Sequence, residues 1–411
     1  PYIHNAGGDF QVTRTIDLIN RLRKAPFASE CLYIAYAIYL MKFILENSTL
    51  NQVAFVSVDD IGVVADCLVL CLLLVRFISQ SLETRHLVTA FCLIAIAFLV
   101  WRVSAEGWLF WLVLFVVCAE DADYIKLSKV TYKVCFICVA VVAVFSLVGM
   151  IPDVVGYRGE IRRVSLGFEH PNQLGLYLLL IATSYSAASI DMRVLQPLSV
   201  IFMAIVTNWL TCDSRTLTYL LIFQIMLLIT FKYMRSDRNR RVVLLILSAL
   251  IISLIAVSLY FLFCFDSSNR AHELIDTVLS GRFYLANKFY SLAGLSAFGC
   301  DYTAVPDVPW VGGERFSFLV DNGYLHCLQR FGVVPFTVMC TTLIALFSTI
   351  VKRCRWDGCV FGLFVLLVYA FTETGGLRAE NLYLVLGFAS IFYSTNFLHR
   401  EDGGQHKRIS R

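Results

Sequence analysis

Runs of about 18 or more almost uncharged residues recur along the whole of this sequence, and each can cross roughly 30 Å of hydrocarbon as a helix. No other feature constrains the fold as strongly. Of the 411 residues, 58% are hydrophobic and 16% charged, with a mean hydropathy of +0.72. A water-soluble globule does not have that composition. The chain reads as an all-α polytopic membrane protein, a single transmembrane domain over residues 1–411.

Twelve spans are expected: Phe27 to Leu45, Ile61 to Ile78, Leu87 to Trp101, Trp108 to Ala119, Val134 to Ile151, Leu174 to Ile190, Val194 to Leu210, Leu217 to Phe231, Val242 to Phe265, Val333 to Val351, Val360 to Phe371, and Leu382 to Phe397. The fourth and eleventh are short for a crossing, so their ends are expected to run on into flanking Gly, Glu and Thr residues. Orientation follows from lysine and arginine, which cytoplasmic connections retain. With the N-terminus inside, the inward segments hold roughly two-thirds of the basic residues, among them Arg14, Arg21, Arg23, Lys24, Lys126, Lys129, Lys133 and Arg235 to Arg241. Both termini are then expected in the cytoplasm. The polar start through Lys24 leads into a full span, which is not the pattern of a cleavable leader. The net charge of +4 is divided between two sides of a membrane and carries no message about partners.

The outward connections are unequal. One is expected from 152 to 173. Another, from 266 to 332, contains a helix-like stretch from Arg282 to Ala293 and is expected to cap the outer ends of the bundle. The sequence shows no internal repeat. Most of the 14 cysteines lie in apolar runs, the Cys135 and Cys138 pair included, where they behave as small hydrophobes. Cys300 and Cys327 fall outside, and whether they pair is open. Asp66 is the main acid within a span, expected to face the bundle interior or a partner such as Arg76. A transporter for lipid-linked sugar tends to place charge near the midplane, often in repeated halves. Here the polar residues concentrate in the outward loops, which favours a surface enzyme.

Arginines stand in those loops against the positive-inside tendency: Arg158, Arg162, Arg163, Arg215, Arg270, Arg282, Arg315, Arg330 and Arg378. A guanidinium donates paired, charge-assisted hydrogen bonds to phosphate, so an anionic outer ligand is one reading. Salt bridging to acids such as Glu160, Glu314 and Glu380 is the other. Three arginines have sharper contexts. The segment Arg163-Val-Ser-Leu-Gly-Phe-Glu-His-Pro-Asn-Gln-Leu-Gly175 precedes a span, with Pro171 suited to a first helical turn and His170 and Asn172 beside it. The turn Cys212-Asp-Ser-Arg-Thr216 holds Ser214 and Arg215 at the depth of a lipid pyrophosphate, or leaves a snorkelling arginine. The third, Ser280-Gly-Arg-Phe-Tyr284, shares its loop with Leu319-Val-Asp-Asn-Gly-Tyr-Leu-His326. There Asp321 and Asn322 fit a helix start. His326 lies about 140° around a helix from Asp321, so the two need not share a site.

In these segments, in their order and around the large outward loop, the chain resembles the Wzy-type O-antigen and capsular polysaccharide polymerases, relatives of the O-antigen ligases. The resemblance covers most of the chain and implies a GT-C-like membrane fold in the bacterial cytoplasmic membrane. It implies inverting glycosyl transfer between undecaprenyl-pyrophosphate-linked oligosaccharides at the outer face, without nucleotide sugar, cofactor or metal. Its partners would be those lipid-linked sugars, membrane lipid, a flippase and chain-length regulators, with no nucleic acid. Mapped onto this sequence, Asp321 would take the acceptor proton, while Arg215, Arg282 and Arg163 stabilise charge on the leaving phosphate. His170, Asn172, Ser214, Asn322, Tyr324, His326 and Arg378 would bind substrate. In the ligases a His-Asn pair stands where this chain has Asp321-Asn322, which favours polymerase over ligase. It also leaves His170 and His326 as alternative bases.

Overall fold

A computed structural model describes residues 27–53, 57–80, 82–302, 310–311, 314–315 and 320–393. The basic residues of both termini, the end of the twelfth span at Phe397 and the side chains of Glu314 and Arg315 lie outside that description.

Every expected span coincides with a helix. The first nine are α1 (Phe27–Glu46), α2 (Val58–Ser79), α3 (Thr84–Ser104), α4 (Trp108–Cys118), α5 (Tyr124–Leu147), α6 (Pro171–Ala188), α7 (Leu195–Leu210), α8 (Arg215–Tyr233) and α9 (Asp237–Cys264). The long loop adds α10 (Arg270–Val278), α11 (Arg282–Ala293) and α12 (Gly323–His326), the last continued by a π-turn over Cys327–Phe331. The final three are α13 (Val333–Lys352), α14 (Gly358–Ala370) and α15 (Leu382–Phe392). Among the described residues, seven helices are long and apolar enough to cross a membrane: α1, α2, α3, α5, α8, α9 and α13. Helices α4, α7 and α14 are apolar but shorter. The molecule is an all-α membrane protein.

Helix starts are set by local chemistry. Asp123, Asp357 and Asn381 accept backbone N–H bonds at the first turns of α5, α14 and α15 at 2.7, 3.0 and 3.1 Å, satisfying donors that have no partner within the helix. Pro171 stands in the first turn of α6, where its missing N–H costs nothing. Packing then sorts the helices. The apolar α14 is almost wholly buried against α6, α8, α9 and α15. The outer helices instead expose Leu147, Phe202, Trp209 and Phe91. Such an apolar exterior is stable only when hydrocarbon covers it.

Two expectations change and one open point is settled. The eleventh span does extend, but at its N-terminal end, to Gly358; α14 stops at Ala370 and α4 begins at Trp108, so Glu106 and Glu373 lie outside helices. The chain turns back sharply after α14, where a Cβ on Gly376 would meet the Leu366 carbonyl oxygen at 2.3 Å and the Ala370 nitrogen at 2.6 Å. Only glycine permits that approach. Asp66 pairs with Lys42 of α1 at 2.7 Å, not with Arg76, which donates instead to the carbonyls of Cys118 and Glu120. Cys300 and Cys327 both carry free thiols.

The connectors following α1, α3, α5, α7, α9 and α14 gather at one end of the bundle. Thr49 N–H donates to the Gly167 carbonyl at 2.8 Å, Glu169 N–H to Asn47 at 3.2 Å, and Val164 N–H to Thr211 at 3.0 Å. Between α5 and α6 the chain forms an antiparallel hairpin of β1 (Val155–Arg158) and β2 (Ile161–Val164), with Gly156 opposite Arg163. A second hairpin pairs β3 (Trp310–Val311) with β4 (Glu314–Arg315).

Candidate functional site

At that end, residues from five distant segments form one hydrogen-bonded chain. It begins on β2, where buried Arg163 donates through Nε to the Cys212 carbonyl at 2.6 Å and through Nη2 to Asn172 Oδ1 at 2.8 Å. Asn172 Nδ2 donates to Glu373 Oε1 at 3.2 Å. The same oxygen accepts Arg282 Nη2 at 2.6 Å, and Arg282 Nε reaches Asp321 Oδ2 at 3.3 Å. One guanidinium thus holds two carboxylates. Its side chain is 10% exposed, whereas that of Asp321 is 40% exposed, so Asp321 is the member of the network open to solvent.

Each member is fixed by its surroundings. Ser280 and Gly281 adopt left-handed backbone angles ahead of α11, and Asp276 accepts the N–H groups of Phe283 and Tyr284 at 2.8 and 3.2 Å. Phe283 stacks on Phe261 of α9 with centroids 4.4 Å apart. Those contacts aim Arg282 inward. Asn322 is wholly occupied with architecture: it caps α12 through Leu325 N–H at 3.0 Å and donates to Ser258 and to the Phe371 carbonyl, both at 2.9 Å. Because Asn322 takes the cap position, Asp321 is released for the ion pair. Tyr324 is fully buried, its hydroxyl bonded to the Leu367 carbonyl at 2.7 Å, so it is a packing residue.

Burial raises the Glu373 carboxyl against the pull of Arg282; with the like charge of Asp321 nearby, it is pushed up to about 7. His170 caps α6, its Nδ1 accepting the Asn172 N–H at 3.1 Å. That bond requires an unprotonated Nδ1. Desolvation and then Arg163 hold its pKa below the ordinary histidine value, which favours the neutral ring that this cap uses.

Arg215 opens α8 beside this chain. Its turn is rigid: Asn208 Oδ1 accepts the Ser214 N–H at 2.9 Å, Asn208 Nδ2 bonds Thr218 at 2.8 Å, and Asp213 has a φ of 40°. Buried Ser214 caps the helix through Leu217 N–H. Arg158 donates to the Asp213 carbonyl at 2.9 Å. Arg215 itself is exposed and makes no ion pair or hydrogen bond among the described residues. A fixed backbone with a free guanidinium is what an anion-binding position requires.

His326 and Arg378 belong to a second cluster. Glu106 is hydrogen-bonded to His326 Nε2 at 3.0 Å and forms ion pairs with Arg330 Nε at 3.1 Å and Arg378 Nη2 at 3.8 Å. Burial alone would raise Glu106, but His326, Arg378 and Arg330 outweigh it and hold the carboxyl at about 2. Among the described residues, the His326 and Asp321 side chains share no hydrogen-bond or ion-pair partner.

Sequence reasoning missed Glu373 and Glu106. Their signal was present: each is an acid in a connector between apolar helices with a glycine one or two residues on, in Thr372-Glu-Thr-Gly-Gly376 and Ala105-Glu-Gly107. Among the described residues, no group of three or more His, Cys, Asp or Glu side chains has the arrangement to hold a metal. No protein-family model, curated protein or solved structure matches the chain.

Proposed function

We propose that the protein is a glycosyltransferase that polymerises lipid-pyrophosphate-linked oligosaccharides at the outer face of the bacterial cytoplasmic membrane, crossing it twelve times with both termini inside. The observation that carries this reading is the chain from Arg163 through Asn172, Glu373 and Arg282 to the half-exposed Asp321, flanked by the unpaired Arg215. It unites an accessible carboxylate and a free guanidinium, the two groups that inverting transfer from a pyrophosphate needs.

In this mechanism the acceptor hydroxyl oxygen bonds to the anomeric carbon while the bond from that carbon to the lipid pyrophosphate breaks. The hydroxyl proton passes to Asp321, and the leaving phosphate departs against Arg215. Arg282 acts through Asp321: its Nε and Nη2 are engaged by carboxylates, so it positions the base. Arg163 positions Asn172 and the turn that carries Arg215. Glu373 anchors Arg282 from the buried side.

The test is a product ladder from purified protein in nanodiscs, given its native lipid-linked repeat and no nucleotide sugar. Wild type extends the repeat; Asp321→Asn and Arg215→Ala abolish extension while melting like wild type. Movement of labelled substrate between leaflets with no extension would overturn the reading in favour of a flippase. Transfer of the glycan only to a different acceptor would overturn it in favour of a ligase.

A further inference from the structure

The connector after α14 has a second face. Beyond Glu373 and the tight turn at Gly376 it returns toward α1 and α4, leaving a cavity of about 170 Å³ lined by Tyr39, Lys42, Trp108, Trp111, Arg378 and Glu380 among others. Glu380 is 1% exposed. Its Oε1 accepts the Tyr39 hydroxyl at 3.1 Å, yet its Oε2 has no hydrogen-bond partner. Arg378 Nε and Trp108 Nε1 are likewise buried without one. Buried polar atoms rarely stay unmatched, and each costs stability while it does. Three residues that line one small cavity therefore carry one unmatched acceptor and two unmatched donors.

The charge balance narrows the ligand. Lys42 and Arg378 stand against Glu46 and Glu380 around the space, and Lys42 is already bound to Asp66 and Glu46 at 2.7 and 3.4 Å. Neither an anion nor a cation gains net attraction there. The Trp108 ring is packed against Phe331 and lies near the Arg378 guanidinium, so the flat apolar face on offer is that of Trp111, with Lys42 Nζ 5.9 Å from its centroid. A neutral ring that is apolar on its faces and hydroxylated on its rim satisfies all of these conditions: the hydroxyls donate to Glu380 and accept from Arg378 and Trp108, while the C–H face lies on an indole. We infer that the cavity between α1, α4 and the 371–381 connector binds a single ring of a neutral saccharide. The inference deepens the glycosyl-transfer reading and rests on it for its role, which is to hold a sugar of the substrate beside the Glu373 network.

Binding is read without lipid-linked substrate, so its failure is separate from failure of the polymerase. Protein in nanodiscs is titrated with glucose, galactose, mannose, N-acetylglucosamine and N-acetylgalactosamine while tryptophan fluorescence is followed, with inorganic phosphate as the anionic probe. At least one sugar gives a saturable change, and Glu380→Gln, which retains a partner for Tyr39, weakens it roughly tenfold. Trp111→Phe, which keeps an aromatic face, weakens the same sugar less than Trp111→Ala does. The inference is overturned if no sugar gives a saturable change, if phosphate binds more tightly than every sugar, or if Glu380→Gln and Trp111→Ala proteins that melt like wild type bind as wild type does. A protein that binds sugar but never extends the repeat would sink the polymerase alone.

Discussion

Glu106 and Glu373 lie in short connectors at the same end of one bundle, and both are largely buried, yet their protonation is driven in opposite directions. Glu106 faces two arginines and a histidine and is held at about 2. Glu373 shares the single guanidinium of Arg282 with a second carboxylate and is pushed up to about 7. Burial penalises both anions; the ratio of cations to carboxylates decides which one keeps its charge. The first cluster thus behaves as a brace. The second has a proton-accepting capacity close to neutral pH, the property that acid–base chemistry uses.

The contrast is broken most severely by Arg282→Ala, which strands Glu373 in a buried setting and removes the partner of the half-exposed Asp321. It is expected to cost about 3–5 kcal/mol, read as a large fall in melting temperature, with Arg282→Lys recovering part of it. A cost below that of Asn172→Ala would show that the network is not held by this guanidinium.

The two carboxylates should also give stability opposite dependences on pH. For Glu106 the folded value lies below the unfolded one, so its contribution is present above about 4.5 and disappears as pH falls through about 2. The full amount is on the order of 3 kcal/mol. For Glu373 the folded value lies above the unfolded one. Its contribution is present below about 4.5 and is lost as pH rises through about 7. Melting curves of Glu106→Gln should be flatter than wild type in acid, and those of Glu373→Gln flatter toward neutral pH. If both substitutions flatten the same limb, the comparison fails.

Smaller effects follow at the edges of the network. Asn172→Ala removes hydrogen bonds to both Arg163 and Glu373 and is expected to cost about 1–3 kcal/mol, with Asn172→Asp repairing only the Arg163 side. Arg215→Ala should change stability by no more than about 0.5 kcal/mol, because that guanidinium is exposed and makes no ion pair or hydrogen bond among the described residues. Its expected effect is confined to chain extension, and a large fall in melting temperature would show that Arg215 is a structural residue.

Much of the architecture was legible in advance. Each expected apolar run lies on a helix, the loop helix has the expected ends at Arg282 and Ala293, and Pro171 opens α6. Those features depend on contiguous residues: apolar run length, a proline in a first turn, an acid or amide before a helix. The site was legible only in part. Arg163, Asn172, Arg282 and Asp321 do meet, but Asn322, Tyr324 and Ser214 turn out to hold backbone in place, and His326 and Arg378 brace Glu106.

By itself, then, the sequence determined the solvent of this protein, the positions of its helices and the end of the bundle that would be rich in polar side chains, because hydrocarbon imposes length and polarity on every stretch it covers. Only the tertiary structure decided which charges face each other. Glu373 and Arg282 are 91 residues apart and meet at 2.6 Å, and Glu106 and His326 are 220 apart and meet at 3.0 Å. A charge acquires its role from the number and sign of its neighbours within a few ångströms, and those neighbours are assigned by helix packing, which no local pattern encodes.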